Sequence, residues 1–346
     1  MIQEYYFQQM NKVQQAAYRA MLDGFLAIAP EFPVLRLEDR ELTDILFRLR
    51  LDHPEIFYVG GFGYRYTDVS DYVQFIPKYM FEKKKIREHQ KALEGRVNRL
   101  VRPARQLSAR EKEMYIHDFI CQNVTYDKLK KQYSHEIIGP LQQGVGVCEG
   151  IAKTVKLLCG HLGLECIIAI SEANPERGIR YRHAWNVIRL ENSWYHLDAT
   201  FDNSLGRYGA PRFDYFNLDD GKIFRDHQPL VYPVPHCTDG DHFFYKENRL
   251  SLTKLEDVEG RLRAVLRKRQ PYFVFHWRGG APGRALLEQI LKTAATLAAG
   301  KGQYARLSAN MSQAVMELSF SENASVSDIC EEQADEGEDA YDRSTP

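Results

Sequence analysis

The stretch "GVGVCEGIAKTVKLLCGHLG", residues 144–163, sets a cysteine between a glycine-rich approach and a predicted helix. Its apolar residues recur at helical spacing and give one buried stripe, formed by Ile151, Val155, Leu158 and Leu162. Cys148 stands at the predicted start of this helix, where unpaired N–H groups and the helix dipole stabilise a thiolate. Position alone fits a buried structural thiol as well as a nucleophile.

Two strands are predicted further along the chain, in "RHAWNVIRL" and "WYHLDATFD", with a short polar turn between them. A two-residue turn, "EN", would place His183 opposite Thr200 and make His183 and Asp198 diagonal neighbours on one face. An aspartate in an apolar strand needs a partner, and His183 is the nearest base on this face. His196 is the rival for that contact.

A thiol nucleophile needs a base that takes and returns its proton, and a third group that orients the base. The sequence offers Cys148 as nucleophile, His183 as base and Asp198 as orienting carboxylate. Each residue alone also has an ordinary structural explanation, but the three together favour nucleophilic catalysis.

Three motifs in this order resemble the bacterial transglutaminase-like superfamily: "GVCEGIAKTVKLL", the His-Ala-Trp-Asn strand and the Trp-Tyr-His-Leu-Asp strand, all within residues 144–203. "VTYD" at 124–127 and "YFNLDD" at 215–220 are similar in a looser way. The resemblance implies a papain-like α+β fold, in which a cysteine-bearing helix packs on an antiparallel sheet. It places the family's triad on the residues Cys148, His183 and Asp198.

The resemblance also implies acyl transfer from an amide or peptide bond through a thioester, on a peptide or protein substrate. Hydrolysis, as in a peptidase or amidase, is favoured over joining glutamine side chains to amines, because the sequence shows no site for a second amine. The alternative is a catalytically inactive transglutaminase-like binding module, since a fold does not fix a function. No metal or organic cofactor is required by this chemistry.

Three further residues are candidates for the oxyanion site or the cleft. Gln142 and Gln143 precede Cys148 by six and five residues, a spacing similar to that of the oxyanion glutamine in papain-like proteases. Surface glutamines are the simpler interpretation of this pair. Trp185 is a candidate wall of the cleft or a core residue.

Composition excludes several other classes. The 346 residues are 44% hydrophobic with a net charge of −1, which gives no general reason to expect a nucleic-acid partner. No apolar run approaches the roughly 18 residues of a membrane span, and the N-terminus lacks a leader pattern, so we expect a cytoplasmic protein. The six scattered cysteines form no C-x-x-C pair, which argues against a disulfide framework or a structural zinc site. The oligomeric state is left open.

The sequence predicts four regions: an N-terminal accessory region at 1–105, a catalytic domain at 106–235, a small C-terminal α/β unit at 236–320 and an acidic, disordered tail at 321–346. The segment 83–110 holds ten Lys/Arg against two Glu, and the tail holds nine Asp/Glu against one Arg. A solvated helix face is the simplest interpretation of the basic segment. The alternatives are binding to nucleic acid or to an anionic membrane surface, or folding against the acidic tail, which is preferred among them because the excess charges are opposite and equal.

Overall fold

The computed structural model describes residues 4–66, 69–174, 176, 182–207, 209–228, 230–323 and 329–331. The chain forms two compact units. The first comprises Met1–Ala169 with Ala184–Asn192, and the second comprises Ile170–His183 with Ser193–Pro346. Both units mix helices and strands, so the predicted α+β class is confirmed. The boundaries of the four predicted regions differ from those of these two units, and the division into four regions remains a prediction.

The N-terminal part of the first unit packs three helices with a small sheet. The helices are α1 (Tyr5–Gln8), α2 (Lys12–Leu26) and α3 (Asp39–Asp52), and the antiparallel strands are β1 (Phe32–Leu35), β2 (Val59–Arg65) and β3 (Tyr72–Tyr79), in the order β1-β3-β2. The sequence predicts one helix through residues 5–28. It is broken at Asn11, because the Asn11 side chain and Gln14 form a capping box that starts α2.

Two longer helices follow, α4 (Lys83–Val101) and α5 (Ala109–Asn123). Ser108, with Glu111 three residues later, predicts a capping box and a helix start, and this capping box is present and starts α5. Helix α4 buries one apolar stripe and exposes all its lysines and arginines. This burial pattern is that of a solvated helix face.

The segment after α5 leads to the helix that carries Cys148. Strands β4 (Thr125–Tyr126) and β5 (Val145–Gly146) pair in parallel, and α6 (Cys148–Leu162) follows at once. Its predicted apolar stripe is buried. Gly163 ends the helix with a left-handed φ of 78°, a conformation that glycine adopts without steric cost. Strands β6 (Cys166–Ser171) and β7 (His183–Leu190) come next.

The next elements are β8 (Ser193–Leu197), α7 (Ala199–Gly206), β9 (Phe216–Leu218) and α8 (Asp220–Ile223). The predicted strand "WYHLDATFD" is wrong beyond Leu197. The Asp198 carboxylate accepts hydrogen bonds from the backbone N–H groups of Thr200 and Phe201, at 2.8 and 3.1 Å, and so caps α7. Thr200 therefore lies in the first turn of a helix and not opposite His183.

The C-terminal part of the second unit is a five-stranded sheet with two long helices. Its elements are α9 (Phe244–Glu247), β10 (Ser251–Leu252), α10 (Leu255–Arg267), β11 (Tyr272–Trp277), α11 (Arg284–Ala299), β12 (Tyr304–Asn310), β13 (Val315–Ser321) and β14 (Ile329–Glu331), and the strand order is β10-β11-β13-β12-β14. The sequence predicts a strand in "PYFVFHW", a helix in "RALLEQILKTAATLAA" and a strand in "QAVMELSF", and these elements are present as β11, α11 and β13. Helix α10 and strand β12, which the sequence does not predict, complete the same apolar core.

Little of the acidic segment 321–346 is described. Residues 329–331 form β14, which pairs in parallel with β12, so these three residues are ordered as a strand. Apart from 321–323, the rest of the predicted tail lies outside the described residues. Within the described ranges, no helix has the length and apolarity that crossing a bilayer requires.

Candidate active site

Cys148 is the first residue of α6, as the sequence predicts. Val147 is the N-cap residue in extended conformation, and no side chain caps the helix. The thiol residue is 7% exposed. The first N–H groups of a helix lack intrahelical acceptors and carry partial positive charge, so this position stabilises a thiolate.

The aspartate of "VTYD" shapes the approach to this helix. Asp127 accepts hydrogen bonds from the backbone N–H groups of Leu129 and Lys131, at 3.0 and 3.1 Å, and from the Ser134 hydroxyl. Burial works to raise the pKa of Asp127, but the hydrogen bond from Ser134 and those from the backbone outweigh it and lower the pKa. The Ser134 carbonyl then accepts from the N–H of Val147, 3.0 Å away, just before Cys148.

The glycine of "CEG", Gly150, is required by close packing. A Cβ at Gly150 would lie 2.1 Å from the carbonyl oxygen of Ser134. Gly146 is similarly constrained, because its Cβ would lie 2.8 Å from the Pro140 ring. The first turn of α6 therefore packs directly on the backbone of the segment that precedes it.

The glutamate between Cys148 and Gly150 belongs to a buried ion cluster. Glu149 lies 2.7 Å from the ammonium of Lys153, which lies 2.8 Å from Glu136. Arg50 also pairs with Glu136. Burial works to raise the pKa of Glu149, but the charge of Lys153 outweighs it and holds the pKa well below its usual range. Lys153 thus fixes α6 against the segment before it through Glu136, and Glu149 lies 3.6 Å from Nδ1 of His135 in the same segment.

In the second unit, His183 and Asp198 form a buried pair. The Nε2 atom of His183 lies 2.7 Å from Oδ2 of Asp198, and the two side chains are 3% and 1% exposed. The predicted contact is therefore present. Burial works to raise the pKa of Asp198, but the charge of His183 and hydrogen bonds from imidazoles outweigh it and lower the pKa. The carboxylate stays ionised and holds the Nε2 edge of the ring.

A second imidazole reaches the same carboxylate. Nε2 of His227 lies 2.9 Å from Oδ2 of Asp198. His227 is not among the residues that the sequence predicts for this site, because it follows Asp198 by 29 positions and stands after α8. The adjacent acidic and basic residues "DH" at 226–227 were the available signal, but they do not reveal which strand end they approach.

The remaining predicted residues take separate positions. Gln142 is half-buried and Gln143 is exposed, both in a π-helical turn, so their part in an oxyanion site stays a prediction. Trp185 is 1% exposed, which is the burial of a core residue. The rival His196 places Nε2 2.9 Å from Oδ1 of Asp220.

The asparagine of "HAWN" has a structural role that the sequence analysis did not predict. The Nδ2 group of Asn186 donates to the carbonyl of Ala152, 3.0 Å away, and so ties β7 to α6 within the first unit. The side chain is buried, and the hydrogen bond satisfies its amide donor.

Among the described residues, two sets of side chains bring possible metal-binding atoms within 4.8 Å of one another: His183, Asp198 and His227, and also His196, Asp220 and Cys237. Hydrogen bonds between imidazole and carboxylate account for the close approach of the histidines and aspartates in both sets, and the backbone N–H of Cys237 donates to Oδ1 of Asp220, 3.1 Å away. Burial raises the pKa of the Cys237 thiol, and the nearby Asp220 and Asp219 raise it further. Neither set is assigned as a metal site.

Three comparisons with known proteins bear on this site. Residues 95–199 match the family model of the transglutaminase-like superfamily, a range that includes Cys148, His183 and Asp198. No curated protein sequence matches the chain.

Among solved structures, the chain is similar to a transglutaminase (12% identity over 49% of this chain and 50% of the other, TM-score 0.29). A protein described as a candidate cysteine protease from Cytophaga hutchinsonii matches at 15% identity over 37% of this chain and 51% of the other, with a TM-score of 0.28. Menin matches at 15% identity over 62% and 52%, with a TM-score of 0.26.

The chain spans about half the length of these solved structures. Their TM-scores are low, so the family assignment rests on the sequence match. Members of the matched superfamily are typically cysteine-dependent enzymes. The match over residues 95–199 identifies this part of the chain as a transglutaminase-like core, and Cys148 begins a helix within it.

Proposed function

We propose that this protein is a cysteine-dependent enzyme that transfers the acyl group of an amide or peptide bond through a thioester. Cys148 is the nucleophile, His183 the general base and acid, and Asp198 the orienting group. The observation that carries the proposal is the 2.7 Å hydrogen bond between His183 and Asp198, buried and held from both sides. The family match, which spans all three residues, supports it.

The hydrogen bond to Asp198 supports a role for the opposite ring nitrogen of His183, Nδ1, in the proposed proton transfer. A carboxylate can only accept, so Nε2 carries the proton that bonds to Asp198, and Nδ1 of the neutral ring is the proton acceptor. The other oxygen of Asp198 is held by the first N–H groups of α7, so the carboxylate cannot rotate freely. The imidazole is thereby oriented before substrate binds.

The reaction then has two balanced halves. His183 takes the proton of the Cys148 thiol, the sulfur attacks the carbonyl carbon, and the tetrahedral intermediate collapses as His183 protonates the leaving amine and the C–N bond breaks. In the second half, His183 takes a proton from water, which attacks the thioester. The C–S bond breaks, and the thiol is restored with the proton from His183.

Hydrolysis is the form of the reaction that we favour over transamidation, because water needs no binding site for a second amine. The two forms differ in one measurable product. With a glutamine-containing peptide and a fluorescent primary amine, hydrolysis releases ammonia without labelling the peptide. Transamidation instead attaches the amine, and this outcome would replace the hydrolase assignment.

Thiol alkylation tests the proposal without a known substrate. We expect iodoacetamide at neutral pH to modify Cys148 faster than any other cysteine, and the excess rate to be lost in His183→Ala. Cys121 is the demanding control, since its sulfur lies 3.5 Å from Nε2 of His117 and is partly exposed. Peptide mapping by mass spectrometry gives both rates from one sample.

Two results would overturn the proposal. Equal modification of Cys148 and Cys121 would show that the first thiol is not activated. A fast Cys148 that is unaffected by His183→Ala would show that the helix start alone activates it. Either result would favour the inactive binding module.

A further inference from the structure

One carboxylate oxygen in the second unit serves two imidazoles. Oδ2 of Asp198 lies 2.7 Å from Nε2 of His183 and 2.9 Å from Nε2 of His227. Oδ1 is occupied by the N–H groups of α7. The His227 side chain is fully buried, and its ring meets that of His183 edge to face at 5.1 Å between centroids.

The other nitrogen of His227 also faces a carboxylate. Nδ1 lies 2.6 Å from Oδ1 of Asp226, whose Oδ2 accepts a hydrogen bond from the Tyr215 hydroxyl at 2.7 Å. Ionised carboxylates offer no proton, so His227 donates to Asp198 and to Asp226 only when both ring nitrogens are protonated. The geometry is therefore that of an imidazolium between two carboxylates.

The electrostatics agree with this protonation state. Burial works to lower the pKa of His227, but the charge of Asp226 and the hydrogen bonds to both carboxylates outweigh it and raise the pKa. The titratable groups that face the His227 ring from the surrounding elements are Asp198, Asp226, His183, Tyr215 and, more distantly, His196. Two of these groups, Asp198 and Asp226, are carboxylates in direct contact with the ring, and their negative charge makes the net effect an increase in the pKa of His227.

We propose that His227 is a positioning residue for the acyl-transfer reaction: as an imidazolium it holds Asp198 in place and draws part of its negative charge away from His183. The inference rests on the proposed function. If Asp198 interacted with His183 alone, its full negative charge would stabilise the His183 imidazolium and make it a weaker acid. Shared charge keeps that imidazolium acidic enough to protonate a leaving amine.

The chain offers matched variants for a test. His227→Gln removes the charge and keeps an amide donor, while Asp226→Asn leaves His227 in place and weakens its charge. His196→Gln is the control, because His196 is also a buried histidine bonded to an aspartate and stands two residues before Asp198. Asp226→Asn also covers the case in which His227→Gln fails to fold.

The readout is the NMR titration of the His183 ring in histidine-labelled protein, assigned from the spectrum of His183→Gln. We expect the titration to move to higher pH by about one unit in His227→Gln, as expected when a like charge at about 5 Å is removed. The shift should have the same direction and be smaller in Asp226→Asn. It should be absent in His196→Gln.

A second readout separates this inference from the proposed function. If Cys148 and His183 form a thiol–imidazole pair, a more basic His183 takes the thiol proton more readily. The pH at which Cys148 alkylation is half-maximal should then fall by a similar amount in His227→Gln. If the His183 titration shifts but the pH dependence of Cys148 alkylation does not, His227 and His183 are coupled through Asp198, whereas the proposed pair of Cys148 and His183 is contradicted.

The inference itself has a clear refutation. An unchanged His183 titration in both His227→Gln and Asp226→Asn would show that Asp198 does not transmit the charge. A shift of the same size in His196→Gln would show a general response to losing a buried histidine, with no special role for His227.

Discussion

Replacing Gly150 by alanine tests how the start of α6 is held in place. In an ordinary helix interior, alanine is more favourable than glycine by about 1 kcal/mol. At position 150 the added Cβ would lie 2.1 Å from the Ser134 carbonyl oxygen. Cβ atoms in proteins essentially never approach another heavy atom to less than 3.0 Å. The two groups must therefore separate by about 0.9 Å.

Neither side of this contact yields easily. The Ser134 carbonyl accepts the N–H of Val147, and the Ser134 hydroxyl bonds to the Asp127 carboxylate, so a shift of this segment strains both bonds. Overpacking of a close-packed interior typically costs about 1–3 kcal/mol, and here the obstacle is backbone. At the upper end of this range, and less the gain of about 1 kcal/mol from alanine in a helix, we expect a net loss of about 2 kcal/mol in the free energy of unfolding, with a fall of a few degrees in Tm.

The assay compares Gly150→Ala with Gly95→Ala in urea unfolding and in the rate of Cys148 alkylation. A Cβ at Gly95, inside α4, would meet its nearest neighbour at an ordinary 3.6 Å, so that variant should gain stability. Gly150→Ala should also slow alkylation, because the thiol is two residues from the displaced contact. Equal gains in both variants would refute the close packing of α6 on the Ser134 carbonyl.

Three further predictions concern the site and its supports. Cys148→Ala and His183→Ala should each abolish nearly all activity, and the double variant should cost little more, since the two residues act in one step; losses that multiply would refute the triad. Asp198→Asn should weaken the pH dependence of stability, because the pKa of Asp198 is lowered in the folded protein. The carboxylate therefore stabilises the protein above about pH 4, and this stabilisation is lost as the pH falls. Tm measured against pH in both proteins checks the difference. Lys153→Met should destabilise the protein by about 3–5 kcal/mol in urea unfolding, since it removes the fully buried cation that pairs with both Glu149 and Glu136. A loss under about 1 kcal/mol would contradict the ion cluster.

Local sequence signals predicted elements wherever the deciding interactions lie within a few residues. The stripe of α6 and the capping box of α5 appear in the structure as expected, because helical periodicity and capping depend on neighbours three or four positions apart. The strand prediction through Thr200 was wrong for a related reason. Apolar alternation continues past Asp198, but the Asp198 carboxylate caps a helix. The residue pattern alone does not distinguish an aspartate within a strand from an aspartate at the N-cap of a helix.

What the sequence by itself determined is the class of the fold, the position of Cys148 at a helix start and the pairing of His183 with Asp198. The contact of His227 with Asp198 was decided only by the tertiary structure, because 29 residues and several elements lie between the two positions. The same holds for Gly150, whose need for glycine comes from the carbonyl of Ser134, 16 positions earlier. Residue type and spacing report local periodicity and short turns, whereas contacts across long loops depend on where the packed elements place each side chain.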